Sequence, residues 1–301
     1  MSNRALAPRE PSGPEGPDLP QAADCAAMRW ADGVLTPVRE RLVEEEPLAV
    51  EIRYARSGQE VRKLLSVTMR TPGDDADLAL GFLYCESLIE GPADVLGWES
   101  LAENARGERI ATWSVRLAAP PRAQGVERVS RGLLTSAACG LCGRTSLEGL
   151  RVSAPGAPAY APAIPGALLL ELPERLRQLQ MLYPETGACH GAGLFDASGV
   201  PLVVREDVGR HNAVDKVIGA ALRAGVTLPG QTLVLSGRAG FELVQKAAAA
   251  GISLVVSVGA PSALAVRLAT QASITLAGFA RNGRFNLYTQ AGRLVGEGSR
   301  A

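Results

Sequence analysis

Several residue types are scarce in this sequence, and each scarcity excludes a class of protein. Among 301 residues there are five cysteines, two histidines and 4% aromatic residues. Five cysteines with a single close pair do not make the disulfide framework of a small secreted protein. The 31 basic residues balance 31 acidic ones, which argues against a non-specific nucleic-acid or membrane binder.

The sequence also lacks segments that direct a chain into or across a membrane. It contains no run of about 18 apolar residues, and residues 1–20 lack the apolar stretch of a signal peptide. We therefore expect a cytoplasmic protein in a reducing environment. There, a close pair of cysteines is more often catalytic or metal-binding than structural.

The length and the 47% apolar fraction predict about two globular domains. Residues 1–24 are rich in proline and predict a disordered tail. Residues 25–130 combine a strand hairpin at 48–70 with an amphipathic helix at 76–90. This combination predicts an α+β domain.

The second half of the chain has a different pattern. Residues 131–166 predict a flexible loop followed by a proline-rich connection. In residues 167–301, a short helix opening at Pro173 precedes strands that alternate with helices. This alternation predicts an α/β domain with a largely parallel sheet covered on both faces.

Cys139 and Cys142 form the close pair, in the segment TSAACGLCGR. A glycine follows each cysteine, so the backbone there is free to adopt unusual conformations. The thiolate is the reactive form of cysteine, and a neighbouring cation such as Arg144 favours it. The spacing fits a redox disulfide, half of a metal site, or a persulfide carrier.

The other cysteines and histidines give weaker signals. A zinc site requires about four ligands, and Cys189, His190 and His211 are the candidates beside the close pair. Neither histidine lies in the H-x-E motif of a zinc nucleobase deaminase, which argues against that activity. Cys85 falls on the apolar stripe of the predicted helix, where a buried, inert thiol is expected. The role of Cys189 is left open.

Three strand-to-helix turns carry small or cationic residues. Backbone N–H groups at a helix start bind anions, and arginine strengthens such a site. In open α/β sheets such turns meet beyond the carboxyl ends of the strands. They therefore predict a nucleotide or pyrophosphate ligand. The candidate residues are Arg210, His211, Ser236, Gly237 and Arg238, with the turn at 259–262.

A fourth candidate segment lies between the last two predicted strands. Its Asn-Gly pair is a strong signal for a plain hairpin turn, while its two arginines suit a phosphate clamp. From the residues alone the plain turn is slightly favoured. The segment consists of Phe279, Ala280, Arg281, Asn282, Gly283 and Arg284.

Together these segments resemble the FdhD family, sulfurtransferases needed to activate formate dehydrogenase. The resemblance runs in order from about residue 45 to residue 290 and excludes the N-terminal tail. The matching segments are TPGD at 71–74, LALGF at 78–82, CGLCG at 139–143, TGACH at 186–190, EDVGRHNAVDK at 206–216, SGR at 236–238, FELVQK at 241–246, AP at 260–261 and the stretch 278–289.

The resemblance implies a specific chemistry. Cys139 is implied to carry sulfur as a persulfide received from a cysteine desulfurase, with Cys142 as its partner. The implied acceptor is the molybdenum of bis(molybdopterin guanine dinucleotide), a substrate bound through residues 279–284. That implication reverses the preference for a plain turn there. The family is usually dimeric, and no zinc is expected.

The resemblance also implies a fold: a cytidine-deaminase-like, three-layer α/β/α core with a smaller N-terminal α+β domain. A guanine edge calls for a carboxylate, and Asp207 and Asp215 are the candidates. Cys85, Cys189 and Gly240 depart from the expected family pattern. The alternative function is a non-catalytic chaperone that binds the molybdenum cofactor for formate dehydrogenase.

Overall fold

The computed structural model describes residues 20–122 and 163–295, together with Gly125 and Val129. Cys139 and Cys142 lie outside this range. Six α-helices are present in the described residues, and none is long and apolar enough to span a membrane. The helices are α1 (Asp75–Cys85), α2 (Gly166–Leu179), α3 (Tyr183–Thr186), α4 (Arg210–Arg223), α5 (Phe241–Ala249) and α6 (Ala263–Gln271).

The described residues also form fourteen strands in four sheets. The strands are β1 (Ala22–Ala31), β2 (Val34–Val43), β3 (Glu46–Arg56), β4 (Gln59–Arg70), β5 (Val95–Leu101), β6 (Thr112–Leu117), β7 (Ile164–Pro165), β8 (His190–Phe195), β9 (Pro201–Asp207), β10 (Thr232–Leu235), β11 (Leu254–Ser257), β12 (Thr275–Arg281), β13 (Arg284–Leu287) and β14 (Leu294–Val295).

The first described element is a β-hairpin that was not among the predicted elements. β1 pairs with β2 through a two-residue turn at Asp32 and Gly33, both with positive φ. Asp-Gly between two strands is a strong hairpin signal, so this hairpin could be predicted from the sequence. Because β1 starts at Ala22, residues 22–24 are strand rather than disordered tail.

The N-terminal α+β unit is a four-stranded sheet in the order β4-β3-β6-β5. The predicted hairpin at 48–70 is confirmed as β3 and β4. Helix α1 is shorter than the predicted 76–90, because it ends at Cys85 before Ser87 adopts a positive φ. Of the predicted apolar stripe Leu78, Phe82, Cys85 and Ile89, only Phe82 is partly exposed, and Leu83 outside the stripe is buried as well, so the buried surface is wider than a single stripe. The helix is buried on most sides because it lies between this sheet and α4.

The larger unit is a six-stranded sheet in the order β13-β12-β11-β10-β8-β9. Alternate residues of the strands point to opposite faces. On one face Leu233 and Leu235 pack with α4, α5 and α6, and on the other Val234 packs with α2. The sheet is therefore the middle of three layers, with helices on both faces as predicted.

The prediction of a largely parallel sheet is wrong. Only the pairs β10–β11 and β11–β12 are parallel, whereas β8–β9, β8–β10 and β12–β13 are antiparallel. Two of the antiparallel pairs are hairpins whose short turns cannot make the crossover that parallel strands need. Helix α2 also differs from its prediction, because it starts at Gly166 and contains Pro173 in its interior.

Two glycines allow the units to join. A Cβ added to Gly81 in α1 would lie 1.9 Å from the carbonyl oxygen of Asp215 in α4. A Cβ added to Gly219 in α4 would lie 1.9 Å from the carbonyl oxygen of Asp77 in α1. Side chains at these positions would force the two helices apart. The close crossing of α1 and α4 therefore depends on both glycines.

Candidate functional site

A cleft of about 540 Å³ opens at the edge of the six-stranded sheet where β10, β11 and β12 end. Ser236 follows β10, Val258 follows β11 and Arg281 ends β12. His190 joins them because β8 runs antiparallel to β10, which brings the start of β8 to the same edge. Ligands of open α/β sheets bind at this edge, so the cleft is the candidate site.

Helix α2 supplies one wall of the cleft. Leu170, Pro173, Glu174 and Arg177 line it, and their spacing of three and four residues places them on one helix face. Arg177 donates from Nε and Nη2 to the two carboxylate oxygens of Glu174, each at 2.8 Å. This interaction lowers the pKa of Glu174. The predicted helix contained Glu174 and Arg177, but charged residues at helical spacing are typical of a solvated helix face and gave no signal of a cleft wall.

The segment that follows α2 is held in place by Glu206. The carboxylate of Glu206 accepts hydrogen bonds from the backbone N–H groups of Met181, Leu182 and Tyr183 at 2.6, 2.8 and 2.9 Å. It also accepts one from Gln180 Nε2 at 3.0 Å. Gln180 and Tyr183 line the cleft. Glu206 is therefore a positioning residue that fixes the cleft rim.

The β12–β13 hairpin reaches the cleft through a strained bulge. Phe279 has φ of 52°, which is unusual for a residue with a side chain, and the strand register shifts between Gly278 and Arg281. The Phe279 N–H donates to the carbonyl of Gly259 at 3.0 Å. A Cβ on Gly278 would lie 2.8 Å from Cδ of Pro261. The bulge therefore seats the hairpin against the turn that follows β11.

The six residues of the predicted cofactor-binding segment divide by position. Ala280, Arg281 and Asn282 line the cleft, although Ala280 is itself fully buried. Asn282 and Gly283 form the turn, both with positive φ, and Arg281 pairs with Arg284 across it. A hairpin turn is therefore present, and it presents two exposed arginines beside the cleft.

The predicted turn residues Arg210, His211 and Arg238 gather around His190. The pKa of His190 is lowered by burial and then by the positive charges of these three residues. His211 Nε2 lies 2.8 Å from the Glu242 carboxylate. Two arginines and two histidines therefore share one region, at the start of α4 and beside the cleft, and the arginines suit an anionic ligand there.

Ser236 and Gly237 occupy tight positions in the same region. Ser236 Oγ accepts from the Gly191 N–H at 2.9 Å. A Cβ on Gly237 would lie 3.3 Å from two atoms of the His190 ring. The Gly259 N–H donates to the Gly237 carbonyl at 2.9 Å, which links the turns after β10 and β11. The structure thus brings the predicted turns together.

Asp207, a predicted guanine contact, is not available to a ligand. Its carboxylate is fully buried and lies 2.8 Å from Lys216 Nζ. It also accepts from the N–H groups of Thr71 and Gly209 at 3.1 and 2.8 Å and from Asn212 Nδ2 at 3.0 Å. A buried charge requires such partners, and here they tie the N-terminal unit to the larger one.

Asp215, the second predicted guanine contact, is also fully engaged. Both of its carboxylate oxygens accept from Lys246 Nζ, at 2.7 and 2.8 Å, and the residue is buried. Burial opposes the charge on Lys246, but Asp215 more than offsets it and the pKa of Lys246 is raised. Cys85 beside this pair is buried, as predicted, and burial raises the pKa of its thiol. Neither predicted carboxylate faces the cleft.

Cys189 lies at the inner side of the cleft. It lines the cleft but is only 5% exposed. Burial, with the negative charge of Glu206, raises the pKa of its thiol to about 11. Cys189 is therefore a neutral thiol near pH 7 and a poor nucleophile.

The zinc alternative depends on residues that the structure does not describe. Within residues 20–122 and 163–295, no three His, Cys, Asp or Glu side chains cluster in a way that could hold a metal ion. The predicted pair Cys139 and Cys142 falls outside the described residues, so its arrangement stays a prediction.

Comparison with known proteins agrees with the resemblance seen in the sequence. The FdhD/NarQ family matches residues 43–295. A sulfur carrier protein FdhD from Anaeromyxobacter dehalogenans (strain 2CP-C) is 46% identical over 270 residues, covering 85% of this chain and 89% of its own length. One from Nocardia farcinica is 45% identical over 263 residues, covering 85% of this chain and 88% of its own length.

A solved structure shares the fold. It is a crystal structure of a protein from Desulfotalea psychrophila, provisionally named a formate dehydrogenase accessory protein. The TM-score is 0.68 at 23% sequence identity, over 92% of this chain and 100% of that one. By the match over residues 43–295 and the identity to its relatives, the chain belongs to the FdhD/NarQ family.

Proposed function

We propose that this protein is a sulfurtransferase that delivers sulfur to the molybdenum of bis(molybdopterin guanine dinucleotide), for use by formate dehydrogenase. The observation that carries the proposal is the cleft at the carboxyl ends of β10 to β12, with arginines beside it. Family membership supports it, because relatives at 44–46% identity are named sulfur carrier proteins.

The first step loads sulfur onto Cys139. The Cys139 thiolate attacks the outer sulfur of a persulfide on a cysteine desulfurase. A new S–S bond forms at Cys139 as the S–S bond of the desulfurase breaks, and the desulfurase cysteine leaves as a thiolate. The sulfur keeps its oxidation state, so this step needs no oxidant.

The second step releases the sulfur at the reduced level of sulfide. The Cys142 thiolate attacks the inner sulfur of the Cys139 persulfide, forming a Cys139–Cys142 disulfide. The outer sulfur leaves as sulfide and binds molybdenum, and its two electrons come from the two cysteines. A cellular dithiol then reduces the disulfide, which returns the protein to its starting state.

The cationic groups around the cleft suit the rest of this substrate. Each guanine dinucleotide arm carries a pyrophosphate, and arginine binds phosphate oxygens well. Arg281 and Arg284 on the hairpin and Arg210 and Arg238 on the turns would hold these groups. The proposal places the protein in the cytoplasm, as a homodimer, with no zinc requirement.

The alternative is a chaperone that binds the molybdenum cofactor without sulfur chemistry. One observation favours it: the described lining of the cleft, including Arg177 and Arg281, comes from residues 163–295. On this alternative, Cys139 and Cys142 serve only in docking.

Activation of formate dehydrogenase distinguishes the two proposed functions. The test compares formate dehydrogenase activity in cells that carry the wild-type protein, Cys139→Ala or Arg281→Ala/Arg284→Ala. The sulfurtransferase predicts loss of activity in both variants, whereas the chaperone predicts loss in the arginine variant alone. Cys25→Ala, which changes an exposed cysteine far from the pair in sequence, serves as the control. Full activation by a folded Cys139→Ala protein would contradict the sulfurtransferase.

A further inference from the structure

The burial of Asp207 and Asp215 leaves open which carboxylate meets a guanine base. Fifteen described residues line the cleft, and Glu174 is the only acidic residue among them. Glu206 lies next to the rim, but its carboxylate already accepts four hydrogen bonds. Glu174 is therefore the acidic side chain placed to meet a ligand in the cleft.

The surroundings of Glu174 suit a purine base. Leu170 and Pro173 on the same face of α2 give the wall an apolar surface, and Tyr183 adds an aromatic ring that is 43% exposed. An apolar wall, an aromatic ring and one oriented polar group are the usual components of a site for a flat ring. Glu174 supplies the polar group.

We propose that Glu174 is the residue that selects guanine in this cleft, an inference that rests on the proposed function. Guanine presents two neighbouring donors, N1–H and the exocyclic N2 amino group, to a carboxylate that accepts both. Adenine has an acceptor at N1 and no amino group at C2, so it is rejected. Hypoxanthine keeps N1–H but lacks the amino group, so it loses one of the two hydrogen bonds.

The present partner of Glu174 is compatible with this role. Arg177 holds the carboxylate in a bidentate pair, and both side chains are more than half exposed. Solvent replaces such an exposed pair at little cost, so the base takes the place of the guanidinium. Arg177 is then free to approach the ligand, since it lines the same cleft.

Calorimetric titration of the full chain with GDP, IDP and ADP tests the inference. The wild-type protein is expected to bind GDP about 10- to 100-fold more tightly than ADP, and more tightly than IDP. Glu174→Gln is expected to lose this preference. Glu171→Gln is the matched control, because Glu171 forms an ion pair with Arg175 on the same helix but does not line the cleft. It is expected to keep the wild-type preference.

A second variant separates base recognition from the ion pair. Arg177→Met removes the partner but leaves the carboxylate, so it is expected to keep the preference for GDP over IDP. An equal loss in Glu174→Gln and Arg177→Met would overturn the assignment, because it would trace the effect to the ion pair. GDP binding that is selective in Glu174→Gln would overturn the inference and leave the proposed function standing. A wild-type protein that binds no guanine nucleotide would contradict both.

Discussion

Two polar segments look alike in the sequence and lie in different places in the fold. In the segment 205–216, Asp207, Asp215 and Lys216 are buried and bind other parts of the protein. In the segment 279–284, the two arginines are exposed at the cleft. A high density of polar residues in the sequence therefore does not distinguish a ligand site from buried ion pairs such as Asp207–Lys216. The two are distinguished by the burial of the side chains and by whether other protein groups already bind them.

The largest effect on stability is expected from breaking the buried ion pair between Asp207 and Lys216. Lys216→Met leaves the Asp207 carboxylate buried without its cation, which should lower the free energy of unfolding by about 3–5 kcal/mol. Urea denaturation measures this, with the exposed Arg281→Met as the comparison, expected to stay within about 0.5 kcal/mol. Equal stability of the two variants would remove the distinction between the segments.

The next largest effect on stability is expected at the close crossing of α1 and α4. Gly219→Ala places a methyl group against the backbone of α1, and overpacking of this kind should cost about 3 kcal/mol. Thermal and urea unfolding measure the loss. Gly97→Ala is the control, since a Cβ there meets nothing within 4 Å and its φ is not in the positive range. A neutral Gly219→Ala would show that the units are not held by this crossing.

Cys189 lines the cleft but is largely buried. The reactivity of its thiol shows whether a thiolate there is accessible to solvent. With a thiol pKa of about 11 it should react with iodoacetamide at pH 7.5 at least about 100-fold more slowly than the exposed Cys25. Peptide mass spectrometry over a time course gives both rates. Comparable rates would place an accessible thiolate in the cleft and bring Cys189 into the sulfur chemistry.

The arginines of the hairpin should affect binding and leave folding unchanged. Arg281→Met and Arg284→Met are each expected to weaken GDP binding about tenfold, the size of one charge-assisted hydrogen bond. Titration at two salt concentrations checks the charge dependence, and urea denaturation checks the fold. Unchanged affinity in both variants would support the plain hairpin turn.

The smallest effect is expected from protonation of His190. Because its pKa is lowered in the folded protein, the unfolded chain takes up a proton first as pH falls. Its stabilising contribution is therefore full above about pH 6.5 and is lost as pH falls through the unfolded and then the folded pKa. Urea denaturation between pH 5 and 7.5 should show a weaker pH dependence in His190→Gln than in wild type. Identical profiles would show that neither burial nor the neighbouring basic residues lower the pKa of His190 in the folded protein.

Much of the architecture could be predicted because local patterns determine it. The hairpin at 48–70, the α4 and α5 helices and the helix-covered sheet follow from periodicity and turn residues. The antiparallel direction of β8 against β10 could not be predicted, because no local pattern marks that pairing. The antiparallel pair β8–β9 was predictable, because the short turn between these strands excludes a parallel crossover. The β1–β2 hairpin was also predictable, from the Asp32-Gly33 pair between its two strands.

The candidate site also has parts that could be predicted from the sequence and parts that could not. The turn residues Ser236 and Arg238 and the hairpin at 279–284 could be placed from strand ends and charge. The burial of Asp207 could not, because its partner Thr71 is 136 residues away in the other unit. The cleft face of α2, with Glu174 and Arg177, could not be predicted, because its charged residues have the spacing of an ordinary solvated helix face. Long-range partners and a proline inside a helix are what sequence patterns fail to reveal.

Sulfur loading tests the central claim most directly. The protein is incubated with a cysteine desulfurase and L-cysteine, and the peptide holding Cys139 and Cys142 is analysed by mass spectrometry. The account predicts one added sulfur on that peptide, removed by a reductant and absent in Cys139→Ala. An active desulfurase that leaves the peptide without added sulfur would contradict the role of Cys139 as a carrier.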